Sequence, residues 1–234
     1  MLKRISHLVF ALVLLAASPA LGTTFTFSTS DSPFDPGVAN QGWYPSFGAN
    51  ADVNDNYVVG TTLAGSQTFR NFFTFDLASL PGDFTVVSAR LRLTRFQSSS
   101  ENEDFERIEF FDVSTDAATL NNNVGANAAI YADLGSGTSY GAFNVLGDRN
   151  SSSPSAVLQF PLNPAALADI ESAAGGFFSM GGTLISDDGA DFLFGGSTDE
   201  FVQELVVEAV PEPGSSGLLM LGLLGLALRR RPRA

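Results

Sequence analysis

A strict alternation of apolar and polar residues sets the strongest limit on the fold of this 234-residue chain. In 87–94 four apolar residues, Val87, Ala89, Leu91 and Leu93, alternate with Ser88, Arg90, Arg92 and Thr94. Successive side chains of a strand point to opposite faces, so this pattern predicts a strand with one buried and one hydrated face. Such strands are typical of antiparallel sheets.

Further short segments with strand patterns lie between turn signals. Segment 69–77 predicts a strand with Phe73, Phe75 and Leu77 on one face, and segment 80–83 predicts the turn that follows it. Four more strands are predicted over 107–113, 156–162, 192–194 and 204–210. One short helix is predicted over 163–174, because Asn163 can cap it, Pro164 suits its first position and Gly175 ends it.

Many short strands with one helix predict an all-β body, a two-sheet antiparallel β-sandwich of jelly-roll-like form. A parallel β-helix is the structural alternative, but the chain shows no repeat of fixed period. The chain contains 21 Phe and no Cys, so buried aromatic area rather than disulfides must hold the body together.

The charge of the body excludes several classes of function. Residues 23–210 carry 24 acidic residues against six Arg and no Cys, His or Lys, a net charge of −18. Ser-His-Asp and Cys-His catalysis, Schiff-base lysines and Cys/His zinc sites are therefore excluded from it. Nucleic acid is excluded as a partner, because phosphate binding needs a basic surface.

Residues 1–22 predict a secretory signal peptide. Lys3 and Arg4 form its basic start, 8–17 forms an apolar run, and small residues around Ala20 and Gly22 offer cleavage sites. We expect signal peptidase to remove this segment and the body, 23–209, to lie outside the cytoplasm as one domain.

The last segment, 210–234, contains three features in a fixed order. These are a motif at Pro211, Glu212 and Pro213, an apolar run at 215–228, and a basic cluster at 229–233 that includes Arg229, Arg230 and Arg231. A helix of about 14 residues is about 21 Å long, short against a hydrocarbon core of about 30 Å. The basic cluster resists translocation, so we expect a transmembrane helix in the inner membrane with its arginine end in the cytoplasm.

This order of triplet, short Gly/Leu span and terminal arginines resembles the PEP-CTERM sorting tail of Gram-negative bacteria. The resemblance implies recognition by a membrane-embedded exosortase, removal of the tail, and attachment at the cell surface or release into the extracellular matrix. It also implies an association with exopolysaccharide and biofilm. It covers the last tenth of the chain and implies nothing about the activity of the body.

A second resemblance lies inside the body, in segment 70–93. Its residues 75–77, 80–81 and 88–93 resemble the strand–turn–strand signature of DNRLRE-type jelly rolls of secreted bacterial proteins. These domains are related in shape to carbohydrate-binding modules, so the resemblance implies a fold more than a ligand.

Two polar stretches are candidates for calcium binding, because hard cations prefer oxygen ligands. Their candidate ligands are Asp52, Asn54 and Asn56 in the first stretch and Asp187, Asp188 and Asp191 in the second. The first stretch is not an EF-hand, since Tyr57 and Leu63 stand where that loop needs Gly and Glu. An ordinary Asx-turn loop is the alternative for each stretch.

Trp43 and Tyr44 form an adjacent aromatic pair that could stack on the faces of sugar rings. The alternative is that both side chains plug one end of the sandwich.

Because no single residue marks a catalytic centre, we expect a structural or adhesive protein that is not an enzyme and needs no cofactor. A carbohydrate-binding module, with or without calcium, is the second hypothesis. A polysaccharide hydrolase or lyase that uses two carboxylates is the third, with the densest acidic stretch at 101–106 and Glu109 nearby.

Overall fold

A computed structural model describes residues 22–30, 33–34, 38–48, 55–61, 67–100, 104–122, 127–147, 154–186 and 189–212. These residues form twelve strands and three short helices. The strands are β1 Thr23–Ser28, β2 Gln41–Pro45, β3 Val59–Thr61, β4 Thr68–Asp76, β5 Phe84–Thr94, β6 Gln97–Ser99, β7 Phe105–Asp112, β8 Ser139–Leu146, β9 Val157–Pro161, β10 Phe177–Leu184, β11 Phe192–Gly195 and β12 Gln203–Pro211. The helices are α1 Ala117–Asn121, α2 Ala128–Asp133 and α3 Pro164–Ser172.

The strands form two antiparallel sheets. The four-stranded sheet has the order β1-β12-β5-β9, and the eight-stranded sheet has the order β6-β11-β3-β4-β10-β7-β8 with β2 also paired to β4. The chain passes from one sheet to the other between β4 and β5, through the turn predicted at 80–83, where the Leu80 N–H donates to the Leu77 carbonyl. The prediction of a mostly β, antiparallel body is confirmed.

Both sheets contribute to one main hydrophobic core. The core includes Phe27, Leu91, Leu93, Leu205 and Val207 from the four-stranded sheet and Phe73, Phe75, Ile108, Phe110, Tyr140, Phe178 and Met180 from the eight-stranded sheet. Helix α3 adds Ala166 and Ile170 to it. Burial of this aromatic and aliphatic area is the dominant stabilising term in a chain without cysteine.

A second, smaller cluster lies apart from the main core. It joins Tyr44 and Phe72 of strands β2 and β4 to Leu120 at α1 and to Ile130 and Leu134 at α2. Phe72 and Phe73 are neighbours in one strand and therefore point to opposite faces of the sheet. The helices α1 and α2 thus cover the face of the eight-stranded sheet that the main core leaves open.

The alternating strand behaves as predicted over most of its length. Ala89, Leu91 and Leu93 are buried in the main core, as are Phe73, Phe75 and Leu77 on the other predicted strand. The prediction that Val87 lies on the buried face is wrong, because its side chain is 50% exposed. The pairing of β5 with β12 shifts between Ser88 and Val86, so Val87 occupies a β-bulge and the buried face continues at Val86.

The six predicted strands correspond to β4, β5, β7, β9, β11 and β12. The other six strands were not predicted, although Phe25 and Phe27 alternate with polar residues in β1. The predicted helix is α3, capped by Asn163, whose side chain accepts from the N–H groups of Ala165 and Ala166. The prediction of a single helix is wrong. Helices α1 and α2 have five and six residues, too few to show a helical period in the sequence.

The predicted signal peptide at 1–22, apart from Gly22, and the predicted span at 215–228 lie outside the described residues. Across the ranges that the structure does describe, no helix has the length and apolar character needed to cross a bilayer.

Candidate functional site at the end of the last strand

Strand β12 carries the chain from the middle of the four-stranded sheet directly into the predicted sorting motif. It lies between β1 and β5 and buries Leu205, Val207 and Ala209 at alternate positions, which fixes its register. The strand ends at Pro211, the first residue of the motif. The motif therefore begins inside the sheet rather than in a linker beyond it.

The first two motif residues are held against the start of strand β5. Pro211 is paired with Phe84, and the Glu212 N–H donates to the Asp83 carbonyl at 2.9 Å. Proline has no N–H to donate, so a strand accepts it where one edge is unpaired, and the described pairing of β12 with β1 ends at Ala209. Pro213 and the basic residues Arg229, Arg230 and Arg231 lie outside the described residues.

The two ends of the described chain leave the body at one end of the four-stranded sheet. Thr23, the first residue of β1, is paired with Ala209 of β12. A Cβ built on Gly22 would lie 3.7 Å from Val210 Cγ1, which is ordinary van der Waals contact. The signal peptide and the tail that the sequence predicts are thus attached at neighbouring points of the fold.

Helix α3 supports the bulge next to this end of β12. The Glu171 Oε2 atom accepts a hydrogen bond from the Val86 N–H at 2.9 Å. Val86 is the residue at which the pairing of β5 resumes, opposite Ala209. The partner strand is therefore anchored to the helix at the point where the ladder is interrupted.

The structure separates the predicted aromatic pair. Tyr44 is 1% exposed, and its hydroxyl donates to the Leu120 carbonyl at 2.9 Å. Trp43 is half-buried and meets Phe69 edge to face at 4.7 Å between ring centroids. Because neighbouring residues of a strand point to opposite faces, the two rings do not form one stacking platform. Tyr44 is therefore closed to a sugar ring, while Trp43 is partly exposed.

Two of the six predicted calcium ligands fall in the described residues, and they lie far apart. The Asn56 Oδ1 atom accepts from the Val58 N–H at 2.8 Å, which is an Asx turn. Asp191 is buried and directly precedes β11, and its carbonyl accepts from the Thr61 N–H. It therefore lies at the Thr61 end of the β3–β11 pair, whereas Asn56 precedes the Val59 end. Asp52, Asn54, Asp187 and Asp188 lie outside the described residues. In the described part, no three acidic side chains converge as a metal site.

A carboxyl pair that the sequence did not suggest lies close to Asn56. Burial raises the pKa of Asp55 above its ordinary value, and the hydrogen bond and negative charge of Asp199 raise it further. Asp199 comes from the loop between β11 and β12, more than a hundred residues away. Local spacing therefore carried no signal for the pair.

Glu106 and Glu109, near the densest acidic stretch, have separate hydrogen-bond partners. Glu106 is buried, and its Oε2 accepts from the Ser186 hydroxyl at 2.5 Å. The Glu109 Oε1 accepts from the Ser139 hydroxyl, also at 2.5 Å. Residues three apart in one strand face opposite sides of the sheet, so these two carboxylates cannot flank one glycosidic bond.

Comparison with known proteins identifies the tail. The family model described as PEP-CTERM protein-sorting motif matches residues 209–231. The match covers the end of β12 together with the predicted motif, span and first arginines, so the chain carries a PEP-CTERM sorting tail. It indicates an exported protein that is anchored in the membrane and processed by exosortase. No curated protein matches the chain.

Proposed function

We propose that this protein is carried to the cell surface or the extracellular matrix of a Gram-negative bacterium, where its body has a structural or adhesive role beside exopolysaccharide. The observation that carries the proposal is the sorting motif at 209–231. A tail of this kind determines where a protein goes, so its body acts outside the inner membrane. The partners during export are signal peptidase and exosortase.

The body is proposed to be a jelly-roll-like sandwich without catalytic activity. Two antiparallel sheets that share one core support the sandwich. The absence of Cys, His and Lys from 23–210 supports the lack of catalysis, since a histidine base and cysteine and lysine nucleophiles are missing. A highly acidic surface favours solubility and hydration over tight packing against other polyanions.

A carbohydrate-binding module is the second candidate. The half-buried ring of Trp43, beside Phe69, is the observation that favours it. Calcium remains a proposal for the loop that contains Asn56, near the carboxyl pair of Asp55 and Asp199. A carboxylate-based hydrolase or lyase has less support, because Glu106 and Glu109 face opposite sides of their strand.

The sorting proposal predicts that the Pro211→Ala, Glu212→Ala, Pro213→Ala variant is not processed. The variant should accumulate as membrane-bound precursor with its C-terminal arginines intact, because exosortase no longer recognises the tail. Fractionation and mass spectrometry of the C-terminal peptide measure this.

A matched control changes the same residue types elsewhere in the body. Pro154 and Glu200 are both exposed, so the Pro154→Ala, Glu200→Ala variant should be processed and localised like the wild type. If the triple variant reaches the surface with a wild-type C-terminus, the tail does not sort this protein.

A further inference from the structure

We propose that the fold of the body controls access to the sorting motif. Here the terminal segment is defined as Val210, Pro211 and Glu212. The terminal segment must separate from strand β5 before exosortase can process the tail. This inference rests on the proposed function, and it adds a conformational step to the same site.

The attachment of the terminal segment is visible residue by residue. Val210 is paired with Thr85, Pro211 with Phe84, and the Glu212 N–H with the Asp83 carbonyl. Two of the three motif residues are therefore held as the last positions of the sheet. A protein can recognise an extended peptide through its free backbone groups, and β5 already pairs with one backbone edge of the terminal segment.

The same attachment is weak, because the terminal segment is paired with one strand only. Strand β1 begins at Thr23, opposite Ala209, so the described pairing of the terminal segment continues on the β5 side alone. The Glu212 N–H faces β5, so the nitrogen of Pro211 faces the β1 side, where it offers no N–H for further pairing. Chain ends with few hydrogen bonds and one neighbour open locally without unfolding the core.

The β-bulge supplies the hinge. The pairing between β5 and β12 shifts at Glu208 and Ala209, immediately before the terminal segment. On the partner strand, the Val86 N–H is tied to Glu171 of helix α3, so β5 stays in place. Opening can therefore stop at the bulge, because the ladder is already interrupted there.

The spacing of the tail explains why opening is needed. Pro213 and Gly214 alone separate Glu212 from the start of the predicted span at residue 215. At about 3.5 Å per extended residue, Glu212 is held within about 10 Å of the membrane surface. Release of the terminal segment adds roughly another 10 Å of chain between the body and the membrane. The enzyme then has room to contact the whole motif.

Because the chain has no cysteine, an engineered disulfide can lock the terminal segment without a competing thiol. Thr85 and Val210 are directly paired, and Cα atoms of such pairs are about 4.5–5.5 Å apart, within the range of a disulfide. The Thr85→Cys, Val210→Cys variant leaves all three motif residues unchanged. It is expressed as the full chain in a strain that contains exosortase, and thiol alkylation identifies the oxidised fraction.

Pulse-chase conversion of precursor to processed protein should be at least about tenfold slower for the oxidised Thr85→Cys, Val210→Cys protein than for wild type, because local opening is blocked. The single variants Thr85→Cys and Val210→Cys should be processed at the wild-type rate. A second pair, Ser88→Cys and Glu208→Cys, joins the same strands on the far side of the bulge and should also leave the rate unchanged.

Wild-type processing of the oxidised Thr85→Cys, Val210→Cys protein would overturn the proposal. Equal slowing by the Ser88→Cys, Glu208→Cys pair would show that opening extends past the bulge, which would contradict the hinge at that position. Failure of the sorting function itself has a different signature. In that case the Pro211→Ala, Glu212→Ala, Pro213→Ala variant is processed normally, whatever the disulfides do.

Discussion

Two tyrosine hydroxyls in the interior each donate a hydrogen bond. The Tyr57 hydroxyl donates to the Thr94 carbonyl at 3.0 Å, and the Tyr140 hydroxyl donates to Asp169 Oδ2 at 2.8 Å. Burial raises the pKa of Tyr57, an effect that the hydrogen bond with Gln203 partly offsets. Burial also raises the pKa of Tyr140, and the hydrogen bond and charge of Asp169 raise it further. Both side chains are therefore held in the neutral form.

The raised pKa values predict a delayed alkaline titration. Each tyrosine has a higher pKa in the folded state than in the unfolded state, where it is near 10. Its contribution to stability is therefore complete below pH 10 and is lost as the pH rises from 10 through the folded-state pKa. The folded protein should keep Tyr57 and Tyr140 protonated at about pH 10, and should ionise both when alkali unfolds it. Ultraviolet absorbance of tyrosinate, followed with circular dichroism, measures this.

Tyr57→Phe and Tyr140→Phe should each remove part of the delayed absorbance step. Wild-type protein unfolded in urea is the reference, where all four tyrosines titrate together. Complete ionisation near pH 10 with an unchanged dichroism spectrum would contradict the prediction.

At the scale of elements, helix α2 lies on strand β10 through a glycine. A Cβ built on Gly181 would lie 2.5 Å from the Leu134 carbonyl oxygen and 2.6 Å from its Cα atom. Both contacts are with backbone, which cannot rotate away. The close approach of helix and sheet, and with it the smaller cluster around Phe72, depends on the missing side chain at this position.

Gly181→Ala should destabilise the protein by about 1–3 kcal/mol, the usual cost of overpacking a filled interior. Gly82→Ala is the matched control, because a Cβ there meets no atom within 4 Å. Urea unfolding measures both free energies. A Gly181→Ala variant as stable as the control would show that the helix adjusts without cost.

The sequence predicted those elements whose signals are local. Helix α3 has its cap at Asn163, its first-turn proline and its terminal glycine within a few residues of one another. Helices α1 and α2 also have capping residues, Asp116 and Asn127, but each buries only one side chain. A short helix with one buried residue has no period to detect.

The candidate site divides in the same way. The motif, the span and the basic cluster stand in order within one segment, so the sequence alone carried their resemblance to a sorting tail. The contact of Glu212 with Asp83 joins residues more than a hundred positions apart, and the bulge at Val87 depends on the same long-range pairing. No local pattern encodes either feature.

For the whole molecule, the dominant electrostatic feature is repulsion among carboxylates. Residues 23–210 have 24 acidic side chains and six Arg. In the described residues, two of these arginines form ion pairs with glutamates of β12, Arg90 with Glu208 and Arg92 with Glu204. These pairs involve only two of the 24 acidic side chains, so folding brings like charges together.

Salt should therefore stabilise the protein. Between 10 mM and 500 mM NaCl the screening length falls from about 30 Å to below 8 Å, and we expect the Tm to rise by about 2–4 °C, equivalent to about 1 kcal/mol. Differential scanning calorimetry measures the change. At pH 3, where most carboxylates are protonated, the same salt series should have a smaller effect. A constant or falling Tm at pH 7 would contradict this account.

The central position of β12 also sets when the body can fold. A secreted chain crosses the membrane from its N-terminus, so β1 and β5 reach the far side before the strand that joins them. Their common neighbour arrives last, because it ends at Pro211. The four-stranded sheet therefore closes only when the body has crossed completely. The residues next in line for export are then those of the predicted anchor, so completion of the fold coincides with the arrival of the tail at the membrane.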